Sequence, residues 1–117
     1  MSDARDLVSR ILEGQGATVT TVASGDEALQ ALRSAQSDVL VSDIGMSRMD
    51  GYQLMRRVRA GDTPQRRIPA LALTAFARAE DRKKAMLAGY QTHLAKPFDI
   101  AELVLIVAGL VGRAEAR

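Results

Sequence analysis

Short apolar runs alternate with amphipathic stretches along this chain of 117 residues, and the alternation restricts the folds that it can adopt. One run, residues 39–41, is apolar at every position, which is typical of a strand covered on both faces in a parallel sheet. Between the runs, apolar residues recur at the spacing of an amphipathic helix. Strands that alternate with helices predict an α/β protein, a doubly wound parallel sheet with right-handed crossovers. The length suits a single domain, residues 1–117.

The pattern predicts four strands and five helices. The predicted strands are residues 17–22, 38–42, 68–74 and 90–95. The first predicted helix begins at a Ser2-Asp3 cap and ends at Gly14, and the other four are residues 27–35, 52–60, 78–88 and 100–111. Because the chain begins with a helix, the predicted sheet has one strand fewer than the predicted set of helices.

Composition and charge exclude several classes of function. The sequence has no cysteine, which excludes disulfides, thiolate metal sites and cysteine nucleophiles and suits a reducing cytoplasm. The net charge of +2 is small and acids lie between the basic residues, so we expect no nucleic-acid partner. No apolar stretch reaches the roughly 18 residues of a membrane span, and the start MSDARD lacks the apolar core of a signal peptide. We therefore expect a cytoplasmic domain with protein partners.

Three polar residues, Asp43, Thr74 and Lys96, each end a predicted strand. In open parallel sheets, reactive groups gather at the carboxyl ends of the strands. A carboxylate there can act as a nucleophile, while a hydroxyl and an ammonium can donate to the oxyanion that it acquires. Taken singly, Asp43 could simply cap a helix, and Lys96 could be a solvated turn residue before Pro97. Together the three side chains indicate a site that handles an anion.

Three motifs in this order resemble the response-regulator receiver domain of two-component signalling. They are VLVSDIGMSRMDGYQL around Asp43, IPALALTA at the fourth strand of that family, and HLAKPF around Lys96. The resemblance implies a flavodoxin-like fold and a role in a phosphorelay. It implies that Asp43 accepts a phosphoryl group from a histidine kinase or phosphotransfer protein. Thr74 would then hydrogen-bond the acyl phosphate, and Lys96 would pair with its charge.

The same resemblance implies further roles near the predicted site. The backbone carbonyl of Gly45 would bind Mg²⁺, and the Lys96–Pro97 peptide would be cis. His93 stands at the aromatic switch position of the family, three residues before the lysine, so His93 and Thr74 would be the switch residues. A single histidine without cysteine is a poor ligand set for a metal, which favours a side chain that alternates between rotamers.

The largest departure from the family lies at the N-terminus. Receiver domains open with an apolar strand that ends in two acids, before the segment that here reads MSDARDLV, and the sequence has neither the strand nor the acids. In the family's strand order 2-1-3-4-5 that first strand is central, so without it the second and third strands of the family would each have unpaired backbone groups. Each such group costs about 1–3 kcal/mol of stability when it is buried. We therefore expect either that the second strand closes onto the third or that a segment-swapped homodimer fills the gap. Of these two alternatives, we favour the segment-swapped homodimer.

The missing acids also weaken the predicted metal site. Mg²⁺ requires six oxygens in near-octahedral geometry, and Asp43 with one carbonyl and waters is a sparse set. Asp3 more readily caps its own helix. Ser47, which stands where the family usually has proline, would loosen the loop after Asp43. We therefore expect weak Mg²⁺ binding and impaired phosphorylation.

Two other functions stay open at this point. The first is an interaction module of the same fold that no longer takes a phosphoryl group. The second is an enzyme, which we do not expect: a hydrolase with an aspartate nucleophile requires a second acid two residues on, where this chain has Gly45. A flavodoxin-type nucleotide binder requires a phosphate-binding loop that the sequence lacks.

Overall fold

The computed structural model describes residues 3–45, 49–75 and 78–116. The helices are α1 (Asp3–Gly14), α2 (Gly25–Ser34), α3 (Gly51–Arg57), α4 (Ala79–Ala88) and α5 (Ile100–Ala116). A π-helical turn, Val58–Asp62, continues α3. The strands are β1 (Leu40–Asp43), β2 (Ala70–Thr74) and β3 (Thr92–Ala95). Ser47 lies outside the described residues, and so does the side chain of Asp3.

The three strands form one parallel sheet in the order β1-β2-β3. In the register, Asp43 lies opposite Leu73, and Thr74 lies opposite Ala95. Every residue of β2 is buried, whereas β1 and β3 each have one buried residue. The central strand therefore brings the carboxyl ends of β1 and β3 to the same rim.

Helices cover both faces of the sheet, as the alternation of strands and helices predicts. Ala70 and Ala72 pack against the cluster formed with α2, α3 and α4. Leu71 and Leu73, which point to the other face, pack against α1 and α5. The prediction of a doubly wound α/β fold is thus confirmed.

The predicted strand at residues 17–22 is wrong, because these residues form neither helix nor strand. Val22 nevertheless packs against the cluster on the α2, α3 and α4 face of the sheet, and Val19 against the cluster on the α1 and α5 face. The apolar pattern therefore predicted correctly that these two valines are partly buried. A strand also requires a neighbour with which to exchange backbone hydrogen bonds. In the part of the chain that the structure describes, β1 pairs with β2 alone, and no strand lies along its other edge. The sheet has three strands rather than four for this reason.

Local side-chain contacts fix where the helices begin. The Ser24 hydroxyl accepts a hydrogen bond from the Glu27 amide at 3.2 Å, and the Glu27 carboxylate accepts one from the Ala23 amide at 2.8 Å. This pair is a variant of the capping box at the start of α2, in which the carboxylate bonds the amide of the residue before the cap rather than that of the cap itself. Asp50 caps α3 in a similar way, accepting from the Gln53 amide at 2.9 Å. The cap places the start of α3 just after the loop that follows β1.

An arginine at the opposite end of the sheet from Asp43 ties the starts of β2 and β3 together. The Arg59 guanidinium donates to the Gly89 carbonyl at 2.8 and 3.0 Å and to the Gln91 side chain at 3.2 Å. The same Gln91 oxygen accepts a 2.6 Å hydrogen bond from the Ala70 amide. This network supports the register of the two strands and therefore the relative position of their far ends.

No helix within the described ranges is both long and apolar enough to cross a membrane.

The packing predicts a large difference between two leucines. Leu71 is fully buried in β2, whereas Leu105 on α5 is 73% exposed. Replacing Leu71 with Ala is expected to lower the free energy of unfolding by about 2–5 kcal/mol, because it leaves a cavity in the core. The control Leu105→Ala is expected to change it by less than about 0.5 kcal/mol. Urea denaturation measures both, and equal effects would contradict the central position of β2.

Candidate functional site

An ion pair joins the ends of the two outer strands. Lys96, directly after β3, places Nζ 2.8 Å from Oδ2 of Asp43, the last residue of β1. The Asp43 side chain is 32% exposed and the Lys96 side chain 31%, so the pair lies in a rim open to solvent. Its length is that of a charge-assisted hydrogen bond. The pair spans the end of β2 and brings together two residues that the sequence separates widely.

The second oxygen of the Asp43 carboxylate also has a donor. The Gly45 amide donates to Asp43 Oδ1 at 2.9 Å. The two oxygens therefore accept from different sides, one from a backbone amide and one from an ammonium. This arrangement holds the carboxylate in one orientation. The resemblance assigned a role to the carbonyl of Gly45, and it is the amide of this residue that contacts Asp43.

Thr74 lies at the same rim, at the end of β2. It is 3% exposed, and its carbonyl accepts a 2.8 Å hydrogen bond from the Lys96 amide. This backbone bond continues the pairing of β2 and β3 beyond Ala95 and places Lys96 beside the strand end. The peptide that follows, Lys96–Pro97, is cis. The three strand-end residues predicted from the sequence thus share one edge of the sheet.

The loop after Asp43 closes at Gly51. The Gly51 amide donates to the Ile44 carbonyl at 3.1 Å. A Cβ added at Gly51 would lie 2.8 Å from Ile44 Cα and 3.1 Å from the Asp43 carbonyl oxygen. Only glycine lets the two ends of this loop approach so closely.

His93 occupies the middle of β3, opposite Ala72 in the register, and is half-buried. Its neighbour Leu94 packs into the cluster of α1 and α5, so strand alternation points the imidazole to the other face. Among the described residues, no group of three or more acidic or histidine side chains could hold a metal ion. Nothing in these contacts joins His93 to the Asp43 carboxylate.

The residues at the rim do not fit a preformed Mg²⁺ site. Mg²⁺ prefers near-octahedral oxygen coordination, and the part of the chain described here places no group of three acidic or histidine side chains around the Asp43 carboxylate. Both oxygens of that carboxylate already accept hydrogen bonds, from Gly45 and Lys96. The groups that this rim offers to a reaction at Asp43 are therefore side chains and backbone amides.

Sequence reasoning missed Tyr90, which it placed at the start of a strand. The residue is 2% exposed, and its hydroxyl donates to the Gly51 carbonyl at 2.8 Å. Burial raises its pKa far above the ordinary value, while the neighbouring Ser42 hydroxyl opposes that rise. The available signal was a tyrosine directly after the helix-ending Gly89, which indicates burial but not the hydrogen-bond partner.

A family model described as the response regulator receiver domain matches residues 1–108. An uncharacterised 14.6 kDa protein of Leptolyngbya boryana is 44% identical over 108 residues, which cover 90% of this chain and 79% of that protein. The DNA-binding transcriptional regulator NtrC of Escherichia coli is 39% identical over 106 residues. That match covers 91% of this chain but only 22% of NtrC.

A solved structure gives the same result for the fold. It is the receiver domain of the sensor histidine kinase PA1611 from Pseudomonas aeruginosa, which has a magnesium ion coordinated in its active-site cleft. The two are 35% identical, the TM-score is 0.82, and the match covers 92% of this chain and 87% of that one. The resemblance drawn from the three motifs is therefore confirmed. With its wound parallel sheet and the Asp43–Lys96 pair at its rim, the chain belongs to the receiver domains of two-component response regulators.

Proposed function

We propose that Asp43 accepts a phosphoryl group from a histidine kinase or a phosphotransfer protein, and that this transfer is slow in the present chain. The observation that carries the proposal is the 2.8 Å contact between Lys96 Nζ and Asp43 Oδ2. A cation at that position neutralises charge on an incoming phosphoryl group, and phosphoryl transfer depends mainly on positioning and on such neutralisation.

The transfer can be written with the groups at the rim. A carboxylate oxygen of Asp43 attacks phosphorus in line with the phosphohistidine nitrogen, the new O–P bond forms, and the N–P bond breaks. The leaving imidazole keeps the electron pair and takes a proton from solvent. Lys96 then moves its hydrogen bond from the carboxylate to a phosphoryl oxygen, and the Gly45 amide continues to hold the other side of Asp43.

Signal output would follow from the added charge. An aspartyl phosphate brings new acceptor oxygens to the rim, and a hydroxyl donor at the end of β2 would turn toward them. We assign that donor to Thr74, and a coupled change of rotamer to His93. The partner that reads this change would be a protein met in the cytoplasm rather than nucleic acid or a membrane.

Slow transfer follows from the sparse donor set at the rim. The receiver domain of PA1611 holds Mg²⁺ in its cleft, whereas the described residues here offer one carboxylate that is already paired. We propose that Mg²⁺ binds weakly and that the chain catalyses no turnover of its own. The same observation favours the second candidate function, an interaction module of this fold that works without phosphorylation.

Incubation with acetyl phosphate tests the main proposal. Wild type is expected to gain one phosphoryl group slowly, and millimolar Mg²⁺ is expected to accelerate the gain little. Asp43→Asn is expected to gain none, while the matched change Asp38→Asn, at an exposed position before β1, should behave as wild type. Intact mass spectrometry measures the product. Rapid, Mg²⁺-dependent gain would show that the metal site is better than proposed, and no gain at all would favour the interaction module.

A second prediction concerns the lysine. Lys96→Ala is expected to lower the initial rate of phosphoryl gain about 10-fold or more, because a hydrogen bond to a charged group contributes about 1.5–3 kcal/mol. The control is Lys83→Ala, which removes an equal charge from the exposed face of α4. If both variants slow the reaction equally, net charge rather than the ion pair with Asp43 would be responsible.

We further propose that the chain forms a segment-swapped homodimer along the open edge of β1. The amides of Leu40 and Ile44 donate toward β2, so by parallel-strand geometry the backbone groups of Val41 and Asp43 point to the unpaired edge. Residues 17–22 are rich in β-branched residues and also pair with no strand among the residues of their chain that the structure describes. Exchange of this segment would give both edges a partner.

Light scattering at micromolar concentration tests the dimer. The expected mass is that of two chains of 12.6 kDa each. Thr20→Pro removes a backbone amide from the exchanged segment and is expected to shift the equilibrium toward single chains. Thr20 itself is exposed, so the core loses no packing. A wild-type mass equal to one chain would refute the exchange.

A further inference from the structure

A buried tyrosine joins two distant parts of the chain beside the phosphoacceptor. Tyr90 lies before β3, and its hydroxyl donates at 2.8 Å to the carbonyl of Gly51, 39 residues earlier. Only 2% of Tyr90 is exposed, and Gly51 is also buried. A carbonyl in such a place costs free energy if no donor reaches it, so this hydrogen bond cannot be lost without a local change of structure.

Gly51 is the residue that closes the loop after Asp43. Its amide donates to the Ile44 carbonyl, and its carbonyl accepts from Tyr90, so both of its backbone polar groups are used. The close approach of Gly51 to the Ile44 and Asp43 backbones leaves no room for a side chain. Movement of Gly51 would therefore displace the backbone that carries the carboxylate.

Tyr90 also shares an apolar cluster with Leu40 of β1 and with Ile44, on either side of Asp43 in the sequence. Ser42, which precedes Asp43, is 4% exposed, and its hydroxyl oxygen is buried without a well-formed hydrogen bond among the described residues. Ser42 acts on the pKa of Tyr90 in the opposite direction to burial and lowers it. Burial raises the pKa of Tyr90 far above its ordinary value, so the phenol stays a donor at neutral pH.

We propose that Tyr90 is a positioning residue for Asp43: its hydroxyl holds Gly51 against the Ile44 and Asp43 backbones and so fixes the direction in which the carboxylate faces a phosphoryl donor. This inference rests on the proposed phosphoacceptor function for its chemical consequence. Its structural part, the closed loop, stands independently of that function. Tyr90 touches neither the carboxylate nor the phosphoryl group and acts through Gly51.

Two single-atom substitutions provide the test. Tyr90→Phe removes the hydroxyl and keeps the ring that fills the core. Tyr52→Phe is the matched control, because Tyr52 is the other tyrosine, lies on α3 near the site and is half-buried. The first substitution leaves the Gly51 carbonyl without its donor, whereas the second leaves the loop unchanged.

The first measurement is hydrogen exchange of backbone amides by NMR, which requires no phosphorylation. In Tyr90→Phe, the Gly51 amide is expected to exchange about 10-fold faster than in wild type. The amides of Leu71 and Leu103 in the core should keep their wild-type rates, and Tyr52→Phe should match wild type throughout. Uniformly faster exchange in Tyr90→Phe would show a general structural role and overturn the positioning role, as would an unchanged Gly51 amide.

The second measurement is the rate of phosphoryl gain from acetyl phosphate at increasing donor concentration. Tyr90→Phe is expected to lower the maximal rate about 10-fold and to leave the half-saturating concentration near that of wild type, because the hydroxyl orients the nucleophile and does not bind the donor. An unchanged maximal rate would overturn the inference. If wild type itself gains no phosphoryl group, the proposed function fails, and the exchange measurement alone decides the loop closure.

A third measurement uses wild type and does not depend on how well a variant folds. The Tyr90 hydroxyl proton, buried and donated to Gly51, is expected to exchange slowly enough to give a resonance in water with a nuclear Overhauser contact to the α-protons of Gly51. A hydroxyl that exchanges rapidly, with no such contact, would refute the closed loop.

Discussion

The contact between Asp43 and Lys96 is the interaction on which the proposed chemistry depends, and three features of the fold are required to make it. The residues lie 53 positions apart, and a whole strand, β2, separates their strands in the sheet. Parallel orientation brings both strand ends to one rim. The hydrogen bond from the Lys96 amide to the Thr74 carbonyl then fixes the position of the lysine backbone beside the end of β2. At the opposite end, Arg59 ties β2 to β3. An error in the register of either strand pair would separate the carboxylate from the ammonium.

Much of this arrangement follows from the sequence because it depends on patterns that are local. Apolar runs that end in Asp43, Thr74 and Lys96 mark strand ends, and the topology rules for alternating strands and helices then bring those ends together. The helix starts are equally local, since Ser24 and Glu27 lie within one turn of each other. The five helices and the shared rim were predictable for this reason.

The parts that could not be predicted depend on partners distant in sequence. The apolar pattern of residues 17–22 correctly indicates burial, but burial of Val19 and Val22 is compatible with an extended segment that pairs with nothing. Hydrogen bonding between strands requires a neighbour, and the pattern within one segment carries no information about it. The contact from Tyr90 to Gly51 could not be predicted for the same reason. A buried tyrosine indicates that its hydroxyl has a hydrogen-bond acceptor, but not which carbonyl that acceptor is.

Two unusual features of this receiver domain, the unpaired edge of β1 and the contact from Tyr90 to Gly51, both affect the position of β1. β1 carries Asp43, the proposed phosphoacceptor, yet within the described residues it pairs on one side only, whereas a strand in the centre of a wound sheet is held from both sides. Its position therefore depends more heavily on contacts beyond the sheet, and those contacts include the closure at Gly51 and the hydroxyl of Tyr90. A second chain that covered the open edge would restrain the same strand. The proposed assembly and the proposed phosphoryl acceptance would thus be coupled through the backbone of Asp43, because both depend on the position of one short strand.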